Sequence, residues 1–110
     1  MGMDFSKASP EGYIAASDGI RRKTLAYGQN ELLSEFLLEG GKALPLHSHP
    51  EEQAGYLVSG HIVLHFAGVA HDIRPGDAWC IPGGLPHRAD ILEDSVAIEV
   101  FSPVRKDYLP

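Results

Sequence analysis

From Leu44 to Phe101 the chain is cut into short segments at near-regular spacing, and this punctuation limits the fold more than any other feature. Segments 54–59, 61–66, 69–73, 77–81, 86–92 and 95–101 have strand length. The breaks between them are Gly60, Ala67-Gly68, Arg74-Pro75-Gly76-Asp77, Pro82-Gly83-Gly84 and Glu93-Asp94. Pro75-Gly76 has good turn chemistry, because proline presets the second turn residue and glycine takes the positive φ of the third. Two earlier segments, 20–28 and 31–39, join the set. The second also fits a helical period, but turn signals at Gly28–Asn30 and Gly40-Gly41 box it into strand length. Many short strands with Gly/Pro turns point to an all-β sandwich or small barrel. Residues 1–19, broken by Pro10, Gly12 and Gly19, are expected to form an irregular N-terminal arm. Residues 20–110 are expected to form the barrel, its tail (102–110) crossing the barrel or a partner subunit. No helix of ordinary length is predicted.

A chain of 110 residues suits one domain, and a hydrophobic content of 44% supports one core. Nine basic residues against fifteen acidic give a net charge of −6, which disfavours nucleic acid as a partner. The one dense basic run, Arg21-Arg22-Lys23, reads as the solvated start of a strand. No apolar run approaches the ~20 residues of a membrane span. The polar start lacks the apolar middle of a signal peptide, so a cytoplasmic location without membrane contact is expected. Cys80 is the single cysteine, so an internal disulfide and a cysteine zinc site are both excluded. Between Trp79 and Ile81 it reads as a buried, inert thiol.

The chemistry centres on His47 and His49, one residue apart in an extended run. Alternate residues of a strand share a face, so both imidazoles should point the same way and make half of a metal site. His87 downstream is the natural third ligand. His61, His65 and His71 have no such setting and read as surface or core-edge residues. Two other segments carry apolar residues on both faces: Ile62, Leu64 and Phe66 against Val63, and Val96, Ile98 and Val100 against Ala97 and Phe101. Strands of this kind are covered on both sides, which points to a homodimer.

These residues resemble the cupins, small β-barrels of the jelly-roll type. The first cupin motif, G-x5-H-x-H-x(3,4)-E-x6-G, is matched by Gly41, His47, His49 and Gly60. The second, G-x5-P-x-G-x2-H-x3-N, is matched by Gly76, Pro82, Gly84 and His87, with Ile91 in place of the asparagine. The resemblance implies a single-domain all-β jelly-roll barrel with core motifs at 41–60 and 76–91. It also implies a divalent metal ion held by His47, His49, Gln53 and His87. Glutamine stands where glutamate is usual. The donor set suits nickel, zinc, manganese, iron or cobalt. A neutral oxygen ligand leaves the ion's charge uncompensated, which favours Lewis-acid chemistry over oxygen activation.

The ending EVFSPVRKDYL and the run His47-Ser48-His49-Pro50-Glu51-Glu52-Gln53 are similar to one cupin subgroup, the KdgF-like pectin-degradation proteins. These ketonise 4,5-unsaturated uronates. That resemblance implies a small carboxylated sugar as partner. It gives Glu99, where the subgroup has aspartate, as the proton-moving group, Arg105 as the grip on the substrate carboxylate, and Phe101 as the wall packed on the sugar ring. Two alternatives remain open: an iron-dependent dioxygenase on a small organic substrate, and a non-catalytic sugar- or metal-binding protein.

Overall fold

A computed structural model describes residues 2–110, so Met1 of the N-terminal arm lies outside it. The elements in chain order are β1 (Ile14–Ser17), β2 (Ile20–Tyr27), β3 (Leu32–Leu38), β4 (Ala43–His47), β5 (Glu52–Phe66), β6 (Val69–Ile73), β7 (Ala78–Ile81), β8 (His87–Ser102) and a single 3-10 turn, Lys106–Tyr108. All pairings are antiparallel: the order is β1-β2-β3-β8-β5-β6, with β4 also on β8 and β7 also on β5. Among the described residues no helix is long and apolar enough to cross a membrane.

The all-β expectation holds, and two strands are longer than the sequence implies. Segments 54–59 and 61–66 are one strand, β5, and segments 86–92 and 95–101 are one strand, β8. Each passes through both faces of the barrel. The first half of β8 pairs with β4 and its second half with β3, while β5 pairs first with β7 and then with β6. The predicted break at Gly60 is instead a bend, where the β5–β8 register shifts between Leu57 and Ile62. Bulges of this kind curve a sheet toward closure.

Gly60 has φ +95°, and a Cβ there would lie 2.1 Å from Ser95 Oγ and 2.5 Å from Asp94 O. Only glycine allows β8 to pass this close. Gly60→Ala is therefore expected to cost about 2–5 kcal/mol from left-handed strain plus overpacking. The check is the urea midpoint, and an unshifted midpoint would contradict the close crossing.

The core lies between the two faces. On β3, Leu32, Ser34, Phe36 and Leu38 point inward and alternate with half-buried residues. They meet Leu57, Ile62, Leu64, Ile81, Ile91 and Phe101, all buried. Each large side chain buried in this way contributes about 1.5–3 kcal/mol.

Three local expectations change, and the tail takes the first of its two expected courses. Ile14–Ser17 is a strand rather than irregular arm, because β2 offers it a free edge to pair with. Cys80 is exposed, not buried. Trp79 and Ile81 turn toward the barrel, so strand alternation sends the residue between them outward, opposite Ala54. The basic run is partly packed: Arg22 lies 3.9 Å from the Tyr108 ring centroid, and Lys23 donates to Ser9 O at 3.0 Å. The tail folds back on its own barrel, where Tyr108 is buried against Phe36 and Phe101 and its carbonyl accepts from Thr24 Oγ1.

Candidate metal centre and active site

His47 ends β4, His87 begins β8, and the two are register partners. His49 lies just past β4 rather than on it, so strand alternation does not place it. The loop does: Gly84 N donates to His49 O at 2.8 Å, tying the 48–51 loop to the turn before His87. The three rings meet, with centroids 4.2 Å apart for His47–His87, 5.1 Å for His49–His87 and 5.8 Å for His47–His49. Their potential ligand atoms all lie within 4.8 Å of one another.

The hydrogen bonds fix which nitrogens are free. Each Nδ1 donates to a backbone carbonyl: His47 to Pro45 O at 2.8 Å, His49 to Glu51 O at 2.9 Å and His87 to Leu85 O at 2.8 Å. Each Nε2 therefore carries a bare lone pair, the tautomer that binds a metal. His87 Nε2 is buried without any hydrogen-bond partner. Burial holds the pKa of His87 down to about 4 and lowers that of His47, so both rings stay neutral at ordinary pH.

Gln53, on β5, adds a second sign. Its Nε2 donates to Glu99 Oε1, which leaves its own Oε1 2.6 Å from His49 Nε2. With the His49 proton on Nδ1, the two are facing acceptors, which repel unless a cation lies against both. The orphaned nitrogen, the opposed acceptors and the carbonyl-oriented imidazoles together fit a divalent ion held by His47, His49, Gln53 and His87.

His47, Gln53 and His87 open on a cavity of about 250 Å³ inside the barrel, lined also by Trp79, Glu99, Phe101, Arg105 and Tyr108. Part of its lining is aliphatic, including Leu44, Ile62, Leu64 and Ile91. Burial raises the Glu99 carboxyl to about 7, against the opposing pull of hydrogen bonds from Trp79 and Gln53 and the charge of Arg105. A group titrating near neutrality can both give and take a proton. Arg105 stacks over Tyr108 at 4.0 Å and over Phe101 at 5.0 Å. Its buried Nε forms an ion pair with Asp107 Oδ1 at 3.3 Å but makes no hydrogen bond. Phe101 is only 1% exposed and touches His49 and Tyr108, so it supports the site from within and offers a ligand little surface.

Six of the seven residues singled out in the sequence line this one cavity, and His49 packs behind them through its ring contacts with His47, His87 and Phe101. The other histidines are occupied elsewhere: His61 pairs with Asp72 at 2.5 Å, His65 with Asp90 at 2.9 Å, and His71 stacks on Phe66. Trp79 and Tyr108 line the cavity as well, beyond the residues the sequence singles out. Trp79 faces inward with Ile81, the buried core residue two positions on.

A jelly-roll barrel with three imidazoles gathered from two separated motifs is cupin architecture. The chain belongs to the cupin family, with residues 34–102 matching the cupin domain. Cupins generally bind a metal. The chain is also similar to the pectin degradation protein KdgF of Dickeya dadantii (strain 3937), at 29% identity over 94 residues, covering 84% of this chain and 86% of that one. It is similar to the solved structure of KdgF from a Halomonas species, at 30% identity and a TM-score of 0.89, covering 96% of this chain and 100% of that one. An RmlC-like cupin from Shewanella frigidimarina NCIMB 400 superposes equally well, with a TM-score of 0.89, 24% identity and coverage of 96% and 95%, and shares the fold.

Proposed function

We propose that this protein is a metal-dependent isomerase that ketonises a small 4,5-unsaturated uronate. The observation that carries the reading is the convergence of a cluster of three histidines, the amide of Gln53, the carboxyl group of Glu99 and the guanidinium of Arg105 around one cavity. Similarity to two KdgF proteins, one described as a pectin degradation protein, supports the substrate class.

A bound divalent ion supplies Lewis-acid polarisation of substrate oxygens. Arg105 holds the substrate carboxylate through its planar fork, aimed by its stack on Tyr108 and Phe101. In the reaction the anomeric hydroxyl loses a proton as the ring C1–O5 bond opens. The freed C5 enolate then becomes a ketone as C4 gains a proton in place of the one lost. The product is an isomer of the substrate, and Glu99 carries the proton to C4. The apolar cavity wall excludes water, which strengthens each charged contact made there.

The test follows the ultraviolet absorbance of the conjugated double bond in a 4,5-unsaturated monouronate. Metal-loaded protein is expected to remove it faster than the spontaneous rate, and chelated protein is not. No loss with fully loaded protein would reject this substrate. Arg105→Ala should raise KM about 30-fold or more, because it removes a buried charged partner, with bound metal unchanged. Unaltered kinetics would take Arg105 out of the site.

The aliphatic part of the cavity lining favours one other reading, a dioxygenase acting on a small organic substrate. Oxygen uptake by iron-loaded protein would identify it.

A homodimer also belongs to this reading. The outer sheet face carries Tyr56, Val58, Ile98 and Val100, of which Tyr56 and Val58 are 49% and 48% exposed. A second copy would cover this apolar surface. Sedimentation at the monomer mass across micromolar concentrations would remove the dimer.

A further inference from the structure

Glu99 is held asymmetrically. Both of its side-chain hydrogen bonds end on Oε1: Gln53 Nε2 at 2.5 Å and Trp79 Nε1 at 3.1 Å. Oε2 accepts none among the described residues, and Glu99 lines the cavity. The geometry arises from a row of residues in register across three strands. Gly55 of β5 pairs with Trp79 of β7 on one side and with Glu99 of β8 on the other. Trp79 reaches Glu99 only by laying its indole across Gly55. A Cβ at position 55 would lie 2.1 Å from Cε2 and 2.3 Å from both Cζ2 and Nε1 of that ring.

A glutamate side chain has three rotatable bonds, and a single donor leaves the carboxylate free to turn about the bonded oxygen. A second donor, arriving from a different strand, removes that freedom. We infer that Trp79 is a positioning residue: its indole N–H, admitted by the missing side chain of Gly55, pins Oε1 of Glu99 and presents Oε2 to the substrate as the proton-carrying atom. The inference rests on the proton-transfer role of Glu99 in the proposed reaction.

Two measurements test it, one of them independent of turnover. Trp79 is the only tryptophan in the chain, so its indole N–H gives a single assigned resonance in a nitrogen–proton correlation spectrum. That resonance is expected downfield, slow to exchange, and displaced in Glu99→Ala. An unmoved resonance would overturn the contact whether or not the protein turns over uronate.

The kinetic measurement uses Trp79→Phe and, to guard against misfolding, benzothienylalanine at position 79, which keeps the bicyclic shape and lacks the N–H. Loss of a positioning group costs about 10- to 100-fold. That loss is expected in kcat, with KM and bound metal unchanged. Gly55→Ala is expected to match it while red-shifting the tryptophan emission as the ring is pushed out. A purely space-filling indole would leave the benzothienyl protein fully active, and that result would overturn the inference.

Discussion

Glu99→Gln is expected to lower kcat by about 10²- to 10⁴-fold, the usual contribution of a positioned acid–base group. The substitution isolates proton transfer. Glutamine has the same shape, and its carbonyl oxygen can still accept from Gln53 and Trp79. The group then facing the cavity is an amide that cannot deliver a proton at neutral pH. Bound metal and KM should stay close to wild type, because the four metal-facing atoms and Arg105 are untouched. The measurement is the rate of double-bond loss together with metal content per chain. Activity within a few-fold of wild type would move the proton to another carrier and leave Glu99 as a structural acceptor.

Removing the metal is expected to abolish turnover and to lower Tm by about 10–20 °C. An ion present at 100 times its Kd stabilises the folded state by about 2.7 kcal/mol, and a domain of this size shifts by about 4–8 °C per kcal/mol. The ion relieves specific local conflicts as it binds: an orphaned Nε2 on His87 and two acceptors, His49 Nε2 and Gln53 Oε1, set against each other. His49→Ala should therefore lose the ion while the barrel still folds, and its melting should no longer respond to a chelator. Full metal occupancy in His49→Ala would remove His49 from the ligand set, and a melting curve of wild type indifferent to chelation would remove the ion itself.

Much of the site can be read from the chain because its pieces are short and rigidly spaced. His47, His49 and Gln53 fall within one loop and its flanking strands, and His87 follows a Pro-Gly turn whose residues announce themselves. The barrel's two long strands are harder to read. Gly60 has the positive φ of a turn glycine, and local sequence cannot distinguish a chain that reverses there from one that merely bends around Ser95. The strand at Ile14–Ser17 gives no alternation because all four residues are exposed, so only its pairing with β2 defines it. Cys80 depends on parity: an apolar run says that a segment is a strand, but which residues face inward follows from the register with β5. Trp79 is the extreme case. Its meaning comes from a glycine on one strand and a glutamate on another, and nothing within its own segment carries that information.

The pairing of β5 with β8 sets the tempo at which this molecule can come into being. These strands are far apart along the chain, yet their pairing joins both faces of the barrel. Loop closure must precede their contacts, and folding dominated by such distant pairings takes milliseconds to seconds. Gln53 and Glu99 sit on those two strands, and His87 opens the second. The donor atoms therefore come together only once β8 has docked on β5, so an ion held there would bind late in assembly rather than nucleate it.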